Sequence, residues 1–257
     1  SSRRLHIMSA PQTTKLESNI DVEAVIFDLD GTLLDYEDAS RVVLNKIAQK
    51  FEKEVNWKLH SKLLGRKMHN VAEILLKELN LEREFTPSTF VDTYYKEMDK
   101  IYEDIKPLPA VKETMQKLKD LGVPMVIATS SYTASYTKKM KFHKDIESFV
   151  LLHVCGDDSE VKHGKPAPDI FLCAKKRLEQ KIEKKLDPSK CLVFEDSPFG
   201  LQGAHAAGMM GVALPDKRID HEIAGTDFSK AVLVCANGMK DFLDQIDMVN
   251  FVTPGKE

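Results

Sequence analysis

The sequence has 257 residues, of which 42% are hydrophobic and 30% are charged. This balance argues against a disordered chain and suits one sizeable core, or a core with a smaller appended domain. Lys and Arg total 37 and Asp and Glu total 40, so the net charge of -3 leaves no positive excess for a nucleic acid backbone or an anionic membrane. No apolar run approaches the roughly 18 residues of a membrane span. We therefore expect neither a nucleic acid partner nor a membrane partner.

The four cysteines are scattered without the spacing of a zinc site or a disulfide framework. Each falls in or beside an apolar stretch, at Cys155, Cys173, Cys191 and Cys235. Buried, reduced thiols are typical of reducing compartments, so a cytoplasmic location is expected. A monomer is expected, and a dimer stays open.

The chain begins with a polar segment that lacks the hydrophobic stretch of a signal peptide. We interpret residues 1–19 as a flexible tail. A mitochondrial presequence is the alternative, because the segment is basic and poor in acidic residues up to Lys15.

Short apolar runs that end in polar or glycine-containing turns follow this tail. They span 24–27, 123–128, 150–154, 191–194, 211–214 and 231–235. Their continuous Val, Ile and Leu content is typical of strands buried on both faces of a parallel sheet. Helix-like segments lie between them, such as 109–121 and 169–178. Alternating strands and helices predict a doubly wound, Rossmann-like α/β core with its ligand site at the C-terminal ends of the strands.

One stretch interrupts the alternation. From residue 39 to 105 the apolar residues recur at helical spacing, and Pro107 and Pro109 then stiffen the return to the core. We predict an inserted helical domain over 36–106, with the catalytic core formed by 20–35 and 107–257.

The strongest chemical signal follows the first core strand. The run that ends at Phe27 leads directly into Asp28 and Asp30, with Gly31 next, so both carboxylates are expected in the loop at the strand's C-terminal end. An isolated pair of this kind is usually only a solvated acidic turn. Three further sites, which follow later in the chain, favour a functional interpretation of this pair.

Together these sites resemble the four motifs of the haloacid dehalogenase superfamily, and the resemblance extends over residues 20–243. The matching strings are Asp28-Leu-Asp-Gly-Thr32, Val126-Ile-Ala-Thr-Ser130, Lys165-Pro166 and Phe194-Glu-Asp-Ser197. The resemblance implies a phosphatase that uses Mg²⁺ and an aspartyl-phosphate intermediate.

The resemblance also assigns the acidic residues. Asp28 would attack the phosphoryl group and hold it covalently, and Asp30 would give and then take the proton. The side chains of Asp28 and Asp196 and the backbone carbonyl of Asp30 would bind Mg²⁺, because a cation is needed to bring a phosphate dianion to an anionic nucleophile. Glu195 would reach the ion directly or through water.

The phosphate ligands follow from the second and third motifs. Thr129 and the Ser130 amide would donate hydrogen bonds to the phosphoryl oxygens, and Lys165 would offset the charge of nucleophile and phosphate together. A nearby basic run, at Lys138, Lys139, Lys141 and Lys144, is interpreted as a solvated helix face.

The insertion lies where a small helical cap closes over the site in one class of this superfamily. Closure implies a small soluble phosphate ester as substrate, because it would exclude a protein surface. Candidate substrate-binding residues are Tyr36 and Glu37 at its start and the basic pair Arg66 and Lys67, for which a solvent-facing role is an equal alternative.

Two further strings, 156–172 and 191–200, resemble the pseudouridine-5'-phosphatase group, whose relatives include glycerol-phosphate, FMN and sugar-phosphate phosphatases, 2-deoxyhexose-phosphate phosphatases among them. Thr32 and Tyr36 depart from that group's usual DxDGLLLDTE string, so pseudouridine 5'-phosphate or a related nucleotide or sugar phosphate is expected without a firm choice. A phosphomutase keeps the same residues and stays open. A hydrolytic dehalogenase does not need Asp30, and a non-catalytic binding module should have lost residues such as Asp28 or Lys165.

Overall fold

The computed structural model describes residues 11–64, 66 and 68–252. Its strands, in chain order, are β1 Ile20–Val22, β2 Ala24–Phe27, β3 Met125–Thr129, β4 Leu152–Cys155, β5 Cys191–Glu195, β6 Met210–Ala213, β7 Leu233–Val234 and β8 Val249–Phe251. Its α-helices are α1 Tyr36–Gln49, α2 Trp57–Ser61, α3 Met68–Leu79, α4 Pro87–Met98, α5 Val111–Asp120, α6 Thr133–Met140, α7 Lys144–Glu147, α8 Asp169–Ile182, α9 Pro198–Ala206, α10 His221–Ala224 and α11 Met239–Leu243.

Six strands form one parallel sheet in the order β4-β3-β2-β5-β6-β7. Strand β2 lies inside the sheet, because the chain adds β3 and β4 on one side before it crosses to β5 on the other. This reversal opens a crevice at the carboxyl ends of β2 and β5, where open α/β sheets bind ligands. The predicted doubly wound parallel fold is confirmed.

Both faces of the sheet are buried. Along β2, Val25 and Phe27 belong to one apolar cluster, and Ala24 and Ile26 belong to another. Successive strand residues point to opposite faces, so a strand that is covered on both sides needs an unbroken apolar sequence. The continuous apolar runs that predicted these strands therefore reflect burial on both faces of the sheet.

Helices α1 to α4 occupy the stretch between β2 and β3 in which a helical insertion was expected. Helix α4 packs against both α1 and α3 and buries Phe90 and Tyr94 among them. The two connections to the sheet run side by side, since Asp35 N donates to Lys106 O at 2.9 Å. The status of 36–106 as a separate domain stays a prediction.

The chain before β1 differs from the expected flexible tail over its described part, residues 11–19. Thr14 N donates to Val234 O at 2.9 Å, and Leu16 is 8% exposed against the main apolar cluster. Thr13 Oγ1 also donates to the Asp241 carboxylate. The contact could not be predicted from the polar sequence, because the segment is held by a single leucine and by backbone hydrogen bonds, which leave no apolar pattern. Strands β1 and β8, which pair in parallel, were also missed because each has only three residues.

Candidate active site

The motif residues meet at the carboxyl ends of three adjacent strands. Asp28 follows β2, Thr129 ends β3, and Glu195 ends β5 with Asp196 next. The register places Phe27 beside Ile127 on one side and beside Phe194 on the other. Residues that are far apart in sequence therefore share one edge of the sheet, as expected.

Lys165 lies between two carboxylates at the centre of this edge. Its Nζ is 2.5 Å from Asp28 Oδ1 and 2.5 Å from Glu195 Oε1, and all three side chains are buried. Burial raises the pKa of Asp28 to about 7; the ammonium of Lys165 opposes this shift, and the charges of Glu195 and Asp30 add to it. Burial alone would lower the pKa of Lys165, but the charges of Asp28 and Glu195 outweigh it and the net shift is upward.

A second acidic group completes a set of ligands for a hard cation. Asp28, Glu195 and Asp196 each offer an oxygen, and these oxygens all lie within 4.8 Å of one another. Burial, together with the charges of Glu195 and Asp28, raises the pKa of Asp196 well above its ordinary value. Three carboxylates against one ammonium leave net negative charge in a buried site, and an oxygen-rich site of this charge fits Mg²⁺.

Glycines make room for two of these carboxylates. A Cβ on Gly31 would lie 2.2 Å from Asp196 Oδ2, and the φ of +85° at Gly31 favours glycine independently. A Cβ on Gly200, in the first turn of α9, would lie 1.8 Å from Glu195 Cδ. Ser197 N and Oγ hold the other oxygen of Glu195 at 3.2 and 3.0 Å, so the start of α9 fixes this side chain.

The second motif forms the wall of the site beside β3. Thr129 is buried, and its Oγ1 accepts a hydrogen bond from Ser131 N at 3.1 Å. A Cβ on Gly156 would lie 2.5 Å from Ser130 O, so the loop after β4 packs directly on this turn. The phosphate-binding roles of Thr129 and Ser130 stay predictions.

Lys139 is a site residue that the sequence interpretation missed. The basic run was assigned to a solvated face, but Lys139 is 1% exposed and its Nζ lies 2.6 Å from Asp30 Oδ2. Its neighbour Lys138 does face solvent, where it pairs with Asp99. The available signal was helical spacing, because Lys139 stands three residues after the buried Tyr136 and shares its side of α6.

The first residues of α1 reach the same region. The Tyr36 hydroxyl lies 3.2 Å from the Tyr94 hydroxyl, and Glu37 Oε2 lies 2.7 Å from Nε2 of His60. His60 is 3% exposed, and its Nδ1 is buried without a hydrogen-bond partner in the part of the chain that the structure describes. No sequence pattern indicated His60, whose partner is 23 residues away.

The predicted basic pair fares differently. Arg66 is exposed and its Nε donates to Lys62 O at 3.0 Å, an arrangement that matches the solvent-facing alternative. Lys67 lies outside the described residues. Contact between either residue and the substrate stays a prediction.

Comparison with known proteins identifies the family. Residues 25–214 match the family described as haloacid dehalogenase-like hydrolase. The chain belongs to this family. The protein named (DL)-glycerol-3-phosphatase 1, mitochondrial, of Arabidopsis thaliana is 37% identical over 200 residues, which are 76% of this chain and 65% of that protein. A probable pseudouridine-5'-phosphatase of Drosophila melanogaster is 32% identical over 198 residues, which are 77% of this chain and 83% of that protein.

A solved structure shows the same fold. A putative β-phosphoglucomutase of Thermotoga maritima superposes with a TM-score of 0.69 at 26% identity, over 88% of this chain and 99% of that one. The predicted family is therefore confirmed, and the phosphatase names of the two relatives support the predicted enzyme class.

Among the described residues, no helix is both long and apolar enough to cross a bilayer.

Proposed function

We propose that this hydrolase is a Mg²⁺-dependent phosphatase that cleaves small phosphate monoesters through an aspartyl-phosphate on Asp28. The observation that carries the proposal is the buried Lys165, 2.5 Å from both Asp28 and Glu195 at the end of β2 and β5. A lysine in this position compensates a nucleophilic carboxylate and the phosphate that it receives.

Two displacements account for the hydrolysis. In the first, an Asp28 oxygen bonds to phosphorus, the bond from phosphorus to the ester oxygen breaks, and Asp30 gives that oxygen its proton. In the second, a water oxygen bonds to phosphorus while Asp30 takes a proton from the water. The bond from phosphorus to Asp28 then breaks and inorganic phosphate leaves. Thr129 and the Ser130 amide would orient the phosphoryl oxygens in both steps.

The carboxylates at the end of β5 fit the metal. Asp28, Asp196 and the Asp30 carbonyl would hold Mg²⁺, with Glu195 beside them, and the ion would supply charge that lets a phosphate dianion approach an anionic carboxylate. Lys165 balances the charge of only one of the three carboxylates.

For the substrate, we propose a small phosphate ester that carries hydroxyl groups, such as pseudouridine 5'-phosphate, another nucleotide, a sugar phosphate or glycerol phosphate. The names of the relatives support this class. Glu37 also supports it, because a carboxylate held at one oxygen by the buried His60 keeps acceptor capacity for a hydroxyl. We place Glu37 and Tyr36 on the substrate side of the site.

A phosphomutase is the second candidate, and the match to a putative β-phosphoglucomutase favours it. The two reactions differ in the fate of the phosphoryl group. A mutase returns it to sugar and needs a bisphosphate activator, whereas a phosphatase releases it to water.

The deciding experiment measures inorganic phosphate released from nucleotide, glycerol, flavin and hexose phosphates, without any bisphosphate, by the wild type and by Asp28→Asn. We expect steady release that depends on Mg²⁺ and falls by at least about 1,000-fold in Asp28→Asn, because the nucleophile is gone. The exposed Asp92→Asn is the control and should match the wild type. Isomerisation of a hexose phosphate after a hexose bisphosphate is added, with no release of free phosphate, would establish the mutase instead, and an active, folded Asp28→Asn would exclude the covalent route.

A further inference from the structure

The ammonium of Lys139 is buried against the carboxylate of Asp30. Lys139 comes from α6 and is 1% exposed. Its Nζ lies 2.6 Å from Asp30 Oδ2 and 2.9 Å from Ser131 Oγ. Ser131 Oγ itself donates to Asp30 Oδ2 at 2.6 Å. One carboxylate oxygen therefore receives two hydrogen bonds, one of them from a cation.

The other oxygen of Asp30 is in the opposite situation. Asp30 Oδ1 is buried and has no hydrogen-bond partner among the residues that the structure describes. A buried carboxylate oxygen without a partner is costly, so an arrangement of this kind points to a missing ligand. With Oδ2 held from one side, rotation of the carboxylate is restricted and Oδ1 is the oxygen left to face a reacting group.

A third contact joins Lys139 to the start of the helical insertion. Its Nζ lies 3.9 Å from the centroid of the Tyr36 ring, which opens α1. An aromatic face attracts an ammonium, and more strongly where water is excluded. The Tyr36 hydroxyl is in turn 3.2 Å from Tyr94 on α4. The ammonium is therefore enclosed by a carboxylate, a hydroxyl and an aromatic face.

We propose that Lys139 is a positioning residue for the acid and base Asp30. It holds Oδ2, with Ser131, so that Oδ1 carries the proton to the leaving oxygen. When that oxygen takes the proton and its bond to phosphorus breaks, Asp30 is left as a carboxylate and the Lys139 ammonium stabilises the new charge. This role rests on the proposed phosphatase function and adds a residue to it.

The test uses leaving groups of similar size and different acidity. Phenyl phosphate expels a basic phenoxide that needs a proton, whereas p-nitrophenyl phosphate expels an anion that leaves without one. We expect Lys139→Met to reduce kcat/KM for phenyl phosphate at least about tenfold more than for p-nitrophenyl phosphate, a selectivity of about 1.4 kcal/mol. The neighbouring Lys138→Met, whose ammonium pairs with Asp99 on the surface, should change neither value by more than about twofold.

A double variant tests whether the effect passes through Asp30. In the Asp30→Asn background, Lys139→Met should add no further selectivity, because the two residues act as a unit. Ser131→Ala keeps the lysine and should show a smaller selectivity in the same direction, with a greater loss on phenyl phosphate than on p-nitrophenyl phosphate. This variant also tests the proposal if Lys139→Met does not fold. Equal losses on both substrates in Lys139→Met, or no selectivity in a folded Ser131→Ala, would overturn the inference.

The two proposals can fail separately. If Asp28→Asn is inactive while Lys139→Met shows no leaving-group selectivity, only the role of Lys139 is wrong. If Asp28→Asn stays active, the covalent mechanism is wrong and the role of Lys139 falls with it.

Discussion

At the scale of single residues, the site is governed by unequal compensation of charge. Lys165 serves two carboxylates, Asp196 has the charges of Glu195 and Asp28 beside it, and burial prevents water from screening any of them. The same logic applies at Glu37, which is paired with His60 through one oxygen only. A side chain held in this way is ordered before the substrate arrives, so it can select among substrates at little entropic cost.

Glu37→Gln tests that selection. We expect it to lower kcat/KM for glycerol phosphate about tenfold more than for ethyl phosphate, because the two esters have similar leaving groups and differ in hydroxyls that an anionic acceptor would bind. Steady-state kinetics on both esters gives the ratio, with the exposed Glu103→Gln as the control. An unchanged ratio would place the specificity contacts elsewhere in the insertion.

At the scale of elements, helix α9 packs closely against the Glu195 side chain, whose position it fixes. An alanine in place of a glycine inside a helix normally stabilises a protein by about 1 kcal/mol. At Gly200 the new methyl would collide with Glu195, so the close approach of helix and carboxylate reverses the expected sign.

Gly200→Ala should therefore lower the free energy of unfolding by about 1–3 kcal/mol and lower kcat, because Glu195 and then Lys165 must shift. Urea unfolding and phosphate release measure the two effects. Gly164→Ala is the matched control, since nothing lies within 4 Å of a Cβ there. A stabilised Gly200→Ala with normal turnover would show that Glu195 has room to move.

The segment before β1 is the other element with a measurable role. Leu16 is 8% exposed against the core, whereas the adjacent Lys15 is exposed. We expect Leu16→Ala to cost about 2 kcal/mol in urea unfolding, at the lower end for a buried leucine, and Lys15→Ala to change the free energy by less than about 0.5 kcal/mol. Equal values for the two variants would restore the interpretation of this segment as a flexible tail.

At the scale of the whole molecule, the pKa shifts link metal, pH and stability. A carboxyl group whose pKa is raised by folding takes up protons in the folded state. Without metal, stability should therefore fall as the pH rises from about 4, the ordinary carboxyl value, through the raised pKa of Asp28, which is about 7. Mg²⁺ needs the deprotonated ligands, so it should stabilise the protein most where the metal-free form is weakest.

Thermal unfolding at pH 5.5 and pH 8, with EDTA or Mg²⁺, measures this linkage. At a concentration of 100 Kd, Mg²⁺ adds about 2.7 kcal/mol, which corresponds to a rise in Tm of about 5–10 °C at pH 8 and less at pH 5.5. Asp196→Asn should lose the rise. Asp158→Asn should keep it, because Asp158 belongs to another acidic cluster, whose two carboxylates are already paired with Arg177 and Lys176. Loss of the rise in Asp158→Asn alone would move the metal to that cluster.

The parallel α/β core and the placement of the motif residues at its strand ends could be predicted from the amino-acid sequence. Apolar runs buried on both faces must end where polar residues begin, so Asp28, Thr129 and Asp196 could be assigned to strand ends.

The contacts between distant elements, in contrast, became visible only in the folded molecule. Lys139 and Asp30 are 109 residues apart, and the place of Lys139 in a basic run suggested the wrong environment. The burial of a lysine depends on which face of its helix packs against the core and on whether a carboxylate lies at that position. The local sequence around the lysine indicates neither. The pairing of Glu37 with His60 and the docking of Leu16 have the same cause, because a charge or a single apolar residue has no periodic signal until the fold supplies its partner.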